Sequence, residues 1–521
     1  MRSSLCAWFS LSSIIKPMRK INWSEWRPAF WNQKTLTLPR IIFILALLLL
    51  LARLGIALVE YARLAGAALA FPFPLDYSEG PILDQTLRLA RFETIYRNSF
   101  DSPPFTVSNY PPVFQLIQAP LARIFGPAFW YGRLISILSV LTAAGLIGLI
   151  LHTLTDDRIA SAIGGFALLA FPYILQGSVL NRVDALALAL SLGGLYAAVS
   201  WPSHRQGSLL AGLLFTAAVF TNPRYALVAP LTAFLLLWQL EHRRQALRLA
   251  GIVVGSCVVL FLSLNLVTQG GFYLNTVLAN LTSFSWYTVT GYLINLYLHA
   301  GYLVIGSLIF IIIERLGEAT RSWPLVMPYC LGAALMILTA GTANSSANDL
   351  FEAVVALCLA SGAFIAWAGE NYWLKALLVF VLAVQMNVLI DWSRQDYIPA
   401  IMNKVVDTRE VEQLAEFVQE AEGPILADEY MGLIPLAGRR LYFQPFEYKQ
   451  LQAANLWSEA ELIAAIQREE FSIILLYLPR HWSAAITSRW SPALRDNIYA
   501  HYRWERTLAE TLIYLPEKGS R

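Results

Sequence analysis

The chain reads as an α-helical polytopic membrane protein with a separate α/β domain at its C-terminal end, and three observations lead there. Of its 521 residues, 57% are hydrophobic and only 14% charged, with a mean hydropathy of +0.53, outside the range of soluble domains. The apolar residues gather into runs of about 17 to 25, the length that crosses a hydrocarbon core as a helix. Beyond about residue 390 the runs shorten, charge rises, and helix-like segments alternate with strand-like ones.

About eleven runs qualify as spans, some a little short: 41–64, 131–151, 158–176, 184–201, 207–221, 223–240, 247–269, 291–313, 324–341, 350–368 and 373–391. Alternate loops carry the basic residues Arg158, Arg205, Arg243, Arg244, Arg248, Arg315, Arg321 and Lys375, which places those loops in the cytoplasm. With an odd number of spans, the loop 65–130, the turns near 177–183, 221–224 and 341–349, the loop 270–290 and the C-terminal domain then lie outside.

The boundaries follow. Residues 1–40, with an apolar patch at 5–15 followed by Lys16, Arg19 and Lys20, read as a cytoplasmic tail and not a cleaved signal. Residues 41–391 form the transmembrane domain, and 392–521 an external α/β domain of ordinary size. Loop 65–130 is too long for a connector. Its segment 81–92 is amphipathic, with Ile82, Leu83, Leu87 and Leu89 against Asp84, Arg88 and Arg91, and 113–125 is a short apolar helix. Two helices in the interface plane suit this pattern. In the C-terminal domain, helices are expected at 408–422 and 458–469, and strands at 424–428, 471–478 and 507–515.

Several function classes fall away. A formal charge of +3 with no basic run interleaved with aromatics argues against nucleic acid. Gly432 and Gly438 make no phosphate-loop spacing. Cys6, Cys257, Cys330 and Cys358 sit singly, and the six histidines have no metal-ligand spacing.

Polar motifs cluster at the ends of the apolar runs. Asp76 and Glu79 lie just beyond the first span in a loop opened by Phe71-Pro72-Phe73-Pro74, near a low-dielectric boundary where desolvation prepares a carboxylate as general base. Two solvated loop acids are the plain alternative. Asn181-Arg182-Val183-Asp184 and Thr221-Asn222-Pro223-Arg224 follow at later ends. A guanidinium there suits a phosphate through bidentate hydrogen bonds, and snorkelling to the surface is the alternative. The turn 344–349 leads into a span holding Glu352 about one turn in, with Asn348 just before it. An intramembrane carboxylate faces a cavity or a partner. The orientation, taken from other loops, puts all of these motifs on the external face.

The order of these elements resembles the GT-C superfamily of membrane glycosyltransferases, in particular the bacterial relatives of protein O-mannosyltransferases and of the lipid A aminoarabinose transferase. The resemblance covers 40 to about 390. It rests on acids at the outer end of the first span, a long loop with two helices, the turns Tyr110-Pro111-Pro112 and Phe125-Gly126-Pro127, a span starting near Gly132-Arg133-Leu134, then Arg182-x-Asp184, and a basic residue near the third external turn.

The resemblance implies a catalytic base at Asp76 or Glu79, an assisting acid at Asp184 in the site or at a divalent metal, and donor phosphate held by Arg224 with Arg182. Tyr110, Asn348 and Glu352 would line the site or meet the acceptor. Relatives often have adjacent Asp-Glu, whereas here Tyr77 and Ser78 intervene, so the base stays open between the two. The implied reaction is an inverting transfer of a sugar from a polyprenyl-phosphate donor to a protein, lipid or glycan acceptor, at the external face of a plasma membrane. A transporter or flippase of lipid-linked sugars is the competing reading. Its marks are repeated halves and broken helices, neither of which the sequence displays.

Overall fold

The computed structural model describes residues 37–317, 320–342, 346–478 and 489–517. The expected cytoplasmic tail therefore lies outside the described residues except for its last four, and Asn344, Ser345 and His481 also lie outside them.

Helix α1, Leu38–Ala70, starts with a proline in its first turn and is mostly apolar on every side. Phe43, Leu50, Leu54, Ala57, Tyr61, Leu64 and Ala68 are buried, one stripe at helical spacing. That stripe packs chiefly on α15, Tyr372–Trp392, while Leu45, Leu48, Leu51 and Val59 point outward. Outward leucines on a span face lipid at no cost, so burial on one side is enough.

Helices form at all eleven expected positions. Seven are long and apolar enough to cross a membrane: α1, α4 (Trp130–Thr155), α10 (Arg243–Val267), α12 (Trp286–Leu316), Trp323–Gly341, Ala347–Trp367 and Tyr372–Val406. An eighth is a bent pair, Arg158–Ala170 with Pro172–Ser178, turning by 66° where Pro172 opens a new helix. This bend corrects the expectation of unbroken helices. The remaining three are short: α7, Asp184–Ser200, with 17 residues, α8, Arg205–Val219, with 15, and α9, Val228–Gln239, with 12. The 3-10 turn Pro223–Ala226 takes up the first residues of the expected span 223–240.

Both loop helices form, as α2 (Glu79–Ala90) and α3 (Val113–Phe125), but α2 is no half-exposed surface helix. Every residue from Glu79 to Leu87 is buried. Its polar residues find partners inside: Asp84 accepts from Leu441 N at 3.2 Å, Gln85 donates to Val107 O at 3.3 Å, and Gln115 donates to Gln85 at 2.9 Å. Gly80 admits the covering chain, because a Cβ there would lie 2.8 Å from the backbone nitrogen of Gly432.

The C-terminal part carries a four-stranded sheet, β1 (Ile425–Ala427), β2 (Ile473–Tyr477), β3 (Tyr502–Leu508) and β4 (Thr511–Pro516), in the order β1-β2-β4-β3. β1 pairs parallel with β2, Ile425 opposite Ile473, and the other pairings are antiparallel. The expected strand at 507–515 is a hairpin, whose corner residues Ala509 and Glu510 have φ of 47° and 58°. The charged alternation of Arg503, Glu505 and Arg506 on an exposed strand hid its first arm. This part does not stand apart from the helices. Val411, Leu414, Ile425, Met431, Ile473 and Ile513 belong to the same continuous core as Leu50 and Leu188. Phe105 of the first loop sits in a second core with Phe443, Tyr448 and Trp457.

Candidate active site

The site begins with the end of α1. A helix terminus in apolar surroundings leaves carbonyls without partners, and here one side chain supplies them. Arg133 on α4, fully buried, donates to Ala68 O at 2.7 Å, Phe71 O at 2.5 Å and Phe73 O at 2.7 Å. The same guanidinium grips Glu79, Nε to Oε1 at 2.9 Å and Nη2 to Oε2 at 2.7 Å. Glu79 also accepts from Leu75 N at 2.7 Å and Asn181 N at 2.8 Å. Its carboxylate therefore has four donors and no exposed surface.

The Asn181 contact docks the second motif against the first. Arg182 then reaches across both: Nε lies 3.1 Å from Asp184 Oδ2, Nη1 lies 3.2 Å from Ser78 Oγ and 3.8 Å from Asp76 Oδ1, and Nη2 lies 3.4 Å from Ser346 Oγ. Asp76 folds back on the start of α2, accepting from Ser78 N at 2.9 Å and from the Ser78 hydroxyl. It keeps 34% of its side chain exposed, against 4% for Asp184.

Asp184 opens α7 and accepts from Asn222 at 3.0 Å and Asn348 at 2.7 Å as well as from Arg182. The third motif and the turn before α14 (Phe351–Trp367) are thus tied to the second. Asn222 also caps the 3-10 turn, accepting from Arg224 N at 3.1 Å. Arg224 is ion-paired with Asp349 and is 30% exposed.

Of the remaining candidates, Tyr110 holds its ring against the cluster of Ile82, Phe114 and Val183. Burial first, then the Asp184 charge, push its phenol up, with Arg182 and Arg224 opposing. Glu352 is buried deeper in α14, where one oxygen accepts from the Tyr329 hydroxyl and Oε1 has no partner among the described residues. It shares no bond with Arg182 or Asp184. Tyr225, fully buried, lies within electrostatic range of both Glu352 and Asp184.

Several contributors carried no signal in the sequence. Lys404, at the end of α16 (Ile398–Val406), donates to Leu75 O at 2.9 Å and to Glu429 at 2.5 Å. Arg489 donates to Glu429 at 2.7 Å and lies 4.4 Å over the Tyr77 ring, while the Tyr77 hydroxyl donates to Glu447 at 2.6 Å. Burial raises Glu429, but Lys404 and Arg489 outweigh it and bring the carboxyl down to about 2. These are surface-type residues in a charged region, and the packing of that region onto the first loop covers most of each side chain. Arg133 stood in a quoted motif without a role, since a basic residue near a span end reads equally as an interface anchor.

The arrangement therefore offers one partly exposed carboxylate, Asp76, beside the Arg182 guanidinium, with Arg224 tied into the same cluster through Asn222 and Asp184. Among the described residues no group of three His, Cys, Asp or Glu is placed to hold a metal ion, and a guanidinium bridges Asp76 and Asp184.

Comparison with known proteins agrees with this architecture. Residues 109–267 match the family described as dolichyl-phosphate-mannose-protein mannosyltransferase. ArnT from Cupriavidus metallidurans bound to undecaprenyl phosphate superposes with a TM-score of 0.59 at 12% identity, over 90% of this chain and 98% of that one. The archaeal oligosaccharyltransferase AglB from Archaeoglobus fulgidus, in complex with an inhibitory peptide and a dolichol-phosphate, superposes with a TM-score of 0.51 at 12% identity, over 91% and 74%. No curated protein matches the chain in sequence. The fold is that of the GT-C superfamily, in a multi-pass membrane protein.

Proposed function

We propose that this GT-C protein is a membrane glycosyltransferase that moves a sugar from a polyprenyl-phosphate donor to an acceptor hydroxyl at the external face of a plasma membrane, with Asp76 as the base. The observation that carries the assignment is the contrast between the two first-loop acids. Glu79 has every lone pair engaged and no surface, whereas Asp76 is partly exposed beside Arg182. A base must reach the proton it removes.

In this reading the acceptor oxygen attacks the anomeric carbon from the face opposite the phosphate, giving inversion, as the Asp76 carboxylate takes its proton. The bond from the anomeric carbon to the phosphate oxygen breaks, and the lipid phosphate leaves with the electron pair. Arg182 and Arg224 hold that phosphate. Each has five donors, so pairing with Asp184 or Asp349 leaves others to face it. The undecaprenyl phosphate and dolichol-phosphate of the structural neighbours support a lipid-phosphate donor, and a carrier of that kind suits polar groups gathered at one end of the helices. Asp184, held by three donors, would fix Arg182, with Tyr110, Asn348 and Glu352 lining the acceptor side.

Incubating the reconstituted protein with undecaprenyl-phosphate-linked hexoses and pentoses, and following loss of sugar from the lipid, tests this. Transfer by wild type that Asp76→Asn abolishes is the expected result. Lipid-linked sugar that crosses the vesicle membrane uncleaved would favour the transporter reading, to which the bend before Pro172 belongs.

A further inference from the structure

The segment Leu75-Asp76-Tyr77-Ser78 has no helix or strand of its own. Its local contacts are the turn from Asp76 to Ser78, the Glu79 N bond to the Asp76 carbonyl and the Leu75 N bond to Glu79. Arg182 reaches it at Ser78 and Asp76, and its other polar holds come from residues more than three hundred positions away. Lys404 Nζ binds the Leu75 carbonyl, the peptide just before Asp76. Arg489 covers the ring of Tyr77, the residue just after, and Glu447 and Phe446 N fix that ring's hydroxyl, at 2.6 Å and 3.2 Å. Glu429 binds Lys404 and Arg489 through its two oxygens, so one carboxylate joins the grip on both sides of Asp76.

We propose that the C-terminal region is a clamp on the first loop, in which Lys404, Glu429 and Arg489 are positioning residues that set the direction of the Asp76 carboxylate. The inference rests on Asp76 being the base. None of the three is placed on the reacting atoms. They act on the backbone and ring that flank Asp76, and Arg182 lies 3.8 Å from the Asp76 carboxylate, too long for a hydrogen bond. A carboxylate on an irregular loop needs such outside support, since a misplacement of about 1 Å costs about a hundredfold in rate. The clamp also gives the sheet region a task that its distance in sequence conceals.

The test uses the full chain in lipid nanodiscs as wild type, Lys404→Met, Lys404→Arg and Glu429→Gln. Hydrogen exchange is read on peptides across 71–80. In Lys404→Met this segment exchanges about tenfold to a hundredfold faster, the equivalent of a lost charged hydrogen bond, while peptides from α1 and α15 keep their protection. Lys404→Arg restores most of it. In parallel, kcat for the undecaprenyl-phosphate sugar that wild type transfers falls at least tenfold in Lys404→Met with donor KM unchanged, and recovers in Lys404→Arg.

Unchanged exchange across 71–80 in both Lys404→Met and Glu429→Gln overturns the clamp. So does a raised donor KM at constant kcat, which makes Lys404 a donor ligand. The exchange arm needs no sugar, so a wild type that transfers nothing defeats the glycosyltransferase reading while the clamp is still decided. If Lys404→Met does not fold, Glu429→Gln, which keeps the side-chain size, carries both measurements.

Discussion

Arg133 and Glu79 form a bidentate ion pair with no solvent exposure on either side chain, Nη2 to Oε2 at 2.7 Å and Nε to Oε1 at 2.9 Å. The pair closes the end of α1, starts α2, and through Asn181 N holds the approach to α7. Its two charges stabilise each other only while both are present, because either one alone would be buried without compensation.

Glu79→Gln and Arg133→Met are therefore expected to destabilise the protein by about 3 to 5 kcal/mol, and to act on folding more than on chemistry. Thermal melting in detergent would show a lowered Tm for each. The double variant should recover part of the loss, because no unpaired charge remains. A Glu79→Gln protein that melts like wild type but transfers no sugar would instead make Glu79 the base.

Asp76→Asn is expected to leave melting unchanged, since its side chain is one-third exposed and its turn to Ser78 survives with an amide oxygen. Transfer should fall about 10²- to 10⁴-fold, the usual cost of losing a general base. Turnover by the variant at the wild-type rate would remove Asp76 from the mechanism.

Arg224→Ala is expected to weaken undecaprenyl phosphate binding about tenfold to a hundredfold, by loss of charge-assisted hydrogen bonds. Arg224→Lys should keep part of the affinity, with the charge present but the planar fork gone. Titrating the lipid phosphate into nanodisc-held protein measures both. Equal affinity in all three proteins would leave Arg224 as no more than the partner of Asp349.

Burial pushes the Asp428 carboxyl up to about 6, against the pull of Arg489 and a hydrogen bond from Trp490. A carboxyl whose folded pKa exceeds its unfolded one binds its proton more tightly in the fold. Its contribution is full below the ordinary value near 3.8 and lost as pH rises through about 6. Melting temperature should therefore rise as pH falls from 7 to 4, with Asp428 contributing about 3 kcal/mol. Glu429 acts in the opposite sense, but only below its ordinary value of 4.5. Asp428→Asn should flatten the slope between pH 4 and 6, and an unaltered slope would assign it to other groups.

Single cysteines in otherwise cysteine-free protein, at 405–420 and at 240–248, test the orientation. An impermeant thiol reagent on intact cells should label the first site and not the second. The reverse pattern would put the Asp76 end of the bundle in the cytoplasm.

What the sequence determined by itself were the features that depend on composition and local order. Apolar runs must be helices in lipid, because no other local structure satisfies the backbone there, so all eleven helical positions were legible. So were the three polar motifs at their ends and the strands at 425–427 and 473–477. The tertiary structure alone decided which acid is held and which is exposed. Asp76 and Glu79 are alike in type and three residues apart, and they differ because Arg133, 54 residues beyond Glu79, and the backbone of Asn181 close on one of them. It also decided that charged Glu429 is buried, and Lys404 and Arg489 partly buried, against the first loop. Long-range packing sets the surroundings of a carboxylate, and a charge becomes a clamp or a base according to what is brought beside it, which neighbours in sequence do not record.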